Sequence, residues 1–266
     1  RALSDPDALR PFDVVFFAGS EDASERFVPQ LASDGRFVID NSPAFRMTEG
    51  IGLIVPEING DAVKAADRIF PIANCTAILL CVALAPIACT AGLQSITVAT
   101  YQAVSGAGRE TLEAFDRGEG PIVRNVVPQI GGFQADGSTG EEAKVANETR
   151  KILQLPRLSV AVICVRVPVR TAHSEAVFFE TTHETSVTRL AAALVQSAGI
   201  VFHGDGVVTP RDVEGTDMVH VARLRSLDDS GRRFALWLSG DQLRKGAATN
   251  AVQILELLLS RGYVRA

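Results

Sequence analysis

Cys75 stands in the stretch Ala73-Asn74-Cys75-Thr76-Ala77-Ile78-Leu79-Leu80, at a polar break just before a long apolar run. Asn and Thr beside such a run have the chemistry of a helix N-terminus, where unpaired backbone N–H groups and the helix dipole favour negative charge. A thiolate is such a charge. The position therefore predicts a cysteine of lowered pKa and good nucleophilicity, whereas one in the middle of the run would be an inert core residue. Arg46 closes the polar segment Asn41-Ser42-Pro43-Ala44-Phe45-Arg46 that follows a short strand-like segment. In parallel α/β sheets the loops after the strands' carboxyl ends form the ligand crevice, which places Arg46 for an anion; the alternative is a solvated surface arginine. Gly106 and Gly108, in Ser105-Gly106-Ala107-Gly108, allow the backbone to approach a phosphate or a ring closely, or merely to turn.

Residues 12–20 predict a buried strand ending in a small-residue turn, 21–32 a helix, and 36–40 a second strand. Strand, helix, strand at this spacing argues for a parallel α/β layer. Residues 41–46 and 55–59 read as loops. After the Cys75 helix, the β-branched segment 95–101 predicts a strand, 113–140 is rich in glycine and charge and reads mostly as loop, and 141–154 returns to helical spacing. Strands at 159–169, 175–182, 219–224 and 234–238, with a covering helix at 185–198, describe a larger mixed sheet. Over 241–261, Leu243, Ala247, Ala251, Ile254 and Leu258 recur at intervals of four and three, one helical stripe that needs a sheet to pack on.

The chain has 266 residues, 47% apolar and 21% charged, enough for one large or two interleaved domains. A net charge of -5 gives no electrostatic reason to expect nucleic acid, so any anionic ligand must be held by local cations. Cys75, Cys81, Cys89 and Cys164 all lie in apolar sequence without metal-ligand spacing, which reads as reduced thiols of a cytoplasmic protein and no metal site. The N-terminal residues carry no leader pattern. The uncharged run 77–93 nears membrane-spanning length, but Pro86, Thr90 and Gly92 interrupt it, so a helix buried on all sides or in a subunit interface is expected.

Six segments in order, spanning most of the chain, resemble the aspartate-semialdehyde dehydrogenase family. They are Asn41-Ser42-Pro43-Ala44-Phe45-Arg46, Val55-Pro56-Glu57-Ile58-Asn59, Ala73-Asn74-Cys75-Thr76, Ala99 to Gly108 around Gln102, Arg166-Val167-Pro168 with His173-Ser174-Glu175, and Leu243-Arg244-Lys245-Gly246-Ala247-Ala248 with Asn250. The resemblance implies a Rossmann-like parallel layer, lacking its first strand and glycine-rich loop, formed by 1–74 and 241–266. It also implies an α+β catalytic and dimerising domain with a mixed sheet at 75–240. The implied reaction is the reversible, NADP-dependent reductive dephosphorylation of aspartyl phosphate to aspartate semialdehyde and phosphate, on the route to lysine, threonine and methionine, in a homodimer or dimer of dimers.

Residue by residue, the resemblance implies Cys75 as nucleophile, forming a thioester or hemithioacetal, and His173 as acid/base, because imidazole titrates near neutral pH. Arg166 would clamp the substrate carboxylate with its two-pronged donor. Glu141 would receive the ammonium, Lys144 and Arg46 the phosphate, and Gln102 would orient the substrate. Ser105, Gly106 and Asn250 would touch the cofactor. If Arg166 and His173 belong to one strand and its following turn, they reach one pocket. The departures are Ala73 where the family has proline, Ala222 where it has glycine, a shortened 108–125 segment, and no glycine-rich cradle before Phe12. That last absence predicts weak NADP binding by the chain as it stands. Two other readings are a non-catalytic dimer-forming paralogue, and N-acetyl-glutamyl-phosphate reductase, whose family has glycine and an aromatic where Asn74 and Thr76 flank the cysteine.

Overall fold

A computed structural model of the protein describes residues 6–9 and 11–264; the leader reading over residues 1–5 lies outside them. Strands β1 (Val14–Phe17), β2 (Phe37–Asp40) and β3 (Ile69–Pro71) form a parallel sheet in the order β1-β2-β3. Helix α1 (Glu21–Ser33) links the first two, capped by Ser20 and with Glu21 and Asp22 suited to its positive end. Asp40, at the carboxyl end of β2, is fully buried yet accepts from the hydroxyls of Ser24 and Ser42, so its charge is satisfied. The 55–59 segment, expected as loop, contains a single helical turn, α2 (Pro56–Asn59), started by proline at its first position.

The second sheet has six strands in the order β5-β4-β6-β9-β8-β7: β4 (Ser95–Gln102), β5 (Ser159–Arg166), β6 (His173–Glu180), β7 (Ile200–Phe202), β8 (Val219–Ser226) and β9 (Arg233–Gly240). β4 runs parallel to β5, with Gln102 opposite Arg166, and antiparallel to β6, so the carboxyl ends of two strands and the start of a third meet at one end. Period two then decides the faces: Gln102, Arg166, His173, Glu175 and Leu238 are buried. Tyr101, Ile163 and Phe178 point the other way and are 38%, 58% and 41% exposed.

Helix α3 (Cys75–Ala91) lies in the main core. Apart from Cys75 and five positions near its end (Ala85, Pro86, Ala88, Cys89 and Thr90), its residues are buried all round, as the uninterrupted apolar sequence requires. It ends at Gly92, whose φ of 67° suits only glycine, and where a Cβ would sit 2.7 Å from the Thr182 hydroxyl. No described helix is long and apolar enough to cross a membrane. The remaining helices are α4 (Arg109–Asp116), α5 (Gly140–Ile152), α6 (Val187–Gln196), α7 (Pro210–Val213) and α8 (Thr249–Ser260). α5 opens with a Thr139/Glu142 capping box.

Three sequence expectations change. The strand expected at 159–169 stops at Arg166, because Val167 to Thr171 turn away before β6; Arg166 and His173 therefore sit on separate strands flanking β4. The closing stripe is broken by a π-helical turn at Arg244–Ala248 before α8. The wider turn shifts the phase, so Leu243 is exposed while Lys245 and Gly246 face inward; the buried stripe begins at Asn250 and continues through Ile254 and Leu258. Cys89, placed in the core by its apolar neighbours, is exposed.

Candidate active site

Asn74 organises the nucleophile. Its side-chain oxygen accepts the N–H groups of Thr76 (3.0 Å) and Ala77 (3.2 Å), which fixes the first turn of α3 and is worth about 1 kcal/mol. Its amide nitrogen donates to Glu141 Oε1 at 2.9 Å, and its backbone N–H donates to Glu148 Oε2 at 2.5 Å. Glu141 and Glu148 are seven residues apart on α5, two turns along one face. Cys75 is thereby held between two helices.

Cys75 Sγ lies 3.6 Å from His173 Nε2. His173 Nδ1 accepts the N–H of Ala103 at 3.0 Å, so in the neutral ring the proton sits on Nε2, facing the sulfur. Arg166 Nη1 donates to the carbonyl of the same Ala103 at 2.6 Å. Gly106 covers both: a Cβ there would lie 3.0 Å from His173 Cε1 and 3.1 Å from Arg166 Nη1. Thiol, imidazole and guanidinium thus share one site. On the other side, a Cβ on Gly246 would lie 2.9 Å from Cys75 Cβ, so the π-helical turn packs directly on the nucleophile.

The electrostatics correct two expectations. Cys75 does not have a lowered pKa: burial first, then the Glu141 carboxylate, push its thiol up from 9.0 to about 12, against opposing hydrogen bonds from Thr76. The helix-start effect operates in the expected direction and is outweighed. His173 does not titrate near neutrality: burial, then the Arg166 charge, hold it down at about 3, so the ring is neutral.

A cleft of about 600 Å³ adjoins these groups, lined by Gly106, Ile122, Val127, Glu141, Lys144 and Arg166 among others. Glu141, Lys144 and Arg166 therefore face one space, with Lys144 exposed in it. Gln102 is buried and donates to Glu141 at 3.4 Å. Arg46 reaches the same α5 face through Glu148, at 3.2 Å. Ser105 lies behind Gly106, where Gln242 donates to its hydroxyl at 2.6 Å and accepts the N–H of Ala172 at 2.9 Å. Asn250, expected at the cofactor, is fully buried: its amide nitrogen donates to Ile54 O at 3.1 Å and its amide oxygen accepts from Lys245 Nζ at 3.4 Å, so it ties the wall together.

Glu148, Gln242 and Lys245 escaped the sequence reading. For Glu148 a signal existed, its spacing of seven from Glu141. Gln242 and the buried Lys245, which pairs with Glu57 at 2.7 Å, gave none, since the contacts are long-range.

Comparison with known proteins agrees over nearly the whole chain. A family model described as the semialdehyde dehydrogenase NAD binding domain matches residues 2–66, and one described as the semialdehyde dehydrogenase dimerisation domain matches 84–245. An aspartate-semialdehyde dehydrogenase of Aquifex aeolicus is 37% identical over 286 residues, covering 99% of this chain and 84% of that one. That of Bacillus subtilis is 35% identical, covering 95% and 81%. A crystal structure of aspartate semialdehyde dehydrogenase II from Vibrio cholerae, complexed with ASA, superposes with a TM-score of 0.90 at 36% identity, covering 96% of this chain and 81% of that one.

Proposed function

Because the chain belongs to the aspartate-semialdehyde dehydrogenase family, we propose that it catalyses the NADP-dependent, phosphate-linked interconversion of aspartyl phosphate and aspartate semialdehyde through a thioester on Cys75. The observation that carries this is the juxtaposition of Cys75 with His173 Nε2, under a glycine that also covers Arg166.

In the phosphate-releasing direction the Cys75 thiolate attacks the acyl carbon and the C–O bond to phosphate breaks, leaving with its electron pair as phosphate. Glu141 holds the substrate ammonium and Arg166 its carboxylate. Arg46 and Lys144 hold the phosphate; the buried, unpartnered Nε of Arg46 supports that role. His173 presents Nε2–H to the sulfur and to the oxygen that gains charge in the tetrahedral adducts. With Nδ1 occupied by the Ala103 N–H, the ring stabilises by donating, and taking up a second proton requires that hydrogen bond to break.

A bound nicotinamide cofactor would supply or accept the hydride at the carbon bonded to sulfur. The close approach permitted at Gly106 fits a flat ring there, with Ser105 beside it. The ammonium also completes the nucleophile. Once it neutralises Glu141, the second of the two causes that raise the Cys75 pKa is compensated, so the thiolate is easier to form when the substrate is in place.

The dinucleotide domain is assigned to 1–74 and 241–266 and the catalytic domain to 75–240. The uncovered apolar sheet face at Tyr101, Ile163 and Phe178 is assigned to a second copy of the chain in a homodimer. The decisive experiment is Cys75→Ala, assayed for phosphate-dependent NADPH formation from aspartate semialdehyde. Turnover should vanish with the circular-dichroism spectrum unchanged, and turnover near the parent's would exclude covalent catalysis here.

A further inference from the structure

The Glu148 side chain is only 1% exposed and has two partners. Oε1 pairs with Arg46 Nη1 at 3.2 Å, and Oε2 accepts the Asn74 N–H immediately before the nucleophile at 2.5 Å. Burial raises its pKa, while the Arg46 charge and the Asn74 N–H oppose that rise. The Arg46 side chain, 11% exposed, places Nη2 on Asn41 O at 3.3 Å and leaves Nε without a partner. Lys151, one turn further along α5, donates to the carbonyls of Arg46 (2.7 Å) and Thr48 (3.0 Å) and fixes the loop itself.

Loop position is thus secured independently of Glu148, whose carboxylate has a second effect: it neutralises the guanidinium that is to hold phosphate. We propose that Glu148 is a positioning residue that also sets phosphate affinity, an internal anion against which phosphate must compete for Arg46, keeping that product weakly held. This rests on the reading of Arg46 as a phosphate ligand. The physical reason is that an enzyme which must release phosphate gains nothing from holding ground-state phosphate tightly, and a buried counter-ion lowers affinity without removing the planar donor that orients the phosphoryl group. The same carboxylate grips Asn74, so phosphate site and nucleophile hang on one side chain.

The proposal reverses the usual expectation for removing a buried charge in an active site. Glu148→Gln keeps the shape and an acceptor for the Asn74 N–H but leaves Arg46 uncompensated. Removing one unit of negative charge from the far side of a single guanidinium, at an effective dielectric constant near 20 and with salt screening, should raise phosphate affinity by on the order of tenfold.

Calorimetric titration of inorganic phosphate into the full chain should therefore show E148Q binding about tenfold more tightly than wild type, with the product-inhibition constant for phosphate falling in parallel. A merely structural role would weaken both. Arg46→Leu is the control. If R46L loses phosphate affinity while E148Q binds no better than wild type, the counter-ion role is wrong and the Arg46 assignment survives. If R46L binds as wild type does, the Arg46 assignment falls and takes the proposal with it. Should E148Q not fold, Glu148→Asp, which draws the charge back by one methylene, decides: tighter phosphate supports the proposal, and equal or weaker binding overturns it.

Discussion

Glu141→Gln tests the electrostatic account of the nucleophile. With its pKa at about 12, against 9.0 for an ordinary thiol, charging Cys75 in the unliganded protein costs on the order of 4 kcal/mol more than in water. At pH 8 the thiolate is then roughly one molecule in 10⁴, and alkylation by iodoacetamide should run about a thousandfold slower than at an unperturbed thiol. Exposed Cys89 supplies an internal reference for the reagent, with modification followed peptide by peptide in a mass spectrometer. Burial is the first cause of the rise and persists in the variant, while the Glu141 charge is the second and is removed. Cys75 of E141Q should therefore alkylate about tenfold faster than wild type, a change of one pKa unit. Turnover should fall in the same variant, because the substrate ammonium loses its partner. A non-reacting amino-acid analogue should accelerate alkylation of the wild type and leave E141Q unmoved. Wild-type Cys75 reacting as fast as Cys89, or E141Q reacting at the wild-type rate, would refute this reasoning.

Gly106→Ala introduces a Cβ 3.0 Å from His173 and 3.1 Å from Arg166, so kcat/KM should fall about a hundredfold while thermal unfolding shifts little; steady-state kinetics beside a melting curve would show both. Glu175 is fully buried, neither carboxylate oxygen has a partner, and burial raises its pKa well above 4.5. The folded state therefore retains a proton that the unfolded state gives up, so this group's contribution is whole below pH 4.5 and declines above it, by up to about 1.4 kcal/mol per pH unit until the folded-state pKa is passed. Glu175→Gln should lack that slope, and urea unfolding at pH 5 and 8 should show its advantage over wild type growing with pH. Lys245→Met strands the Glu57 carboxylate that now lies 2.7 Å from Nζ, and should cost about 3–5 kcal/mol in denaturant unfolding. The double variant with Glu57→Leu should recover most of that loss.

The sequence by itself determined the inventory and its order. It supplied a cysteine behind a helix-capping asparagine, a histidine and an arginine seven residues apart, an acidic and a basic residue one turn apart on a helix, and a glycine where backbone must come close. Period-two alternation in 95–101 and the uniformly apolar run of α3 were equally legible, because each follows from side-chain direction along a local element. The break in the closing helix was not. A π-helical turn is stabilised by what packs against it, here Cys75 on Gly246 and Glu57 on Lys245, contributed by segments more than 150 residues away in sequence.

Only the tertiary structure decided the signs of the pKa shifts. Asn74 and Thr76 announce the local favour shown to a thiolate, but burial beneath the second sheet and the Glu141 charge from α5 act through space and prevail. His173 is driven neutral for the same kind of reason, by burial and by Arg166 from the strand on the far side of β4. The Arg46–Glu148 pair spans 102 residues and joins two elements whose meeting no local pattern records. Residue types fix which charges a chain can present. Which of those charges it presents depends on solvent removed and charges brought near by distant segments, and that is set only when the chain has folded.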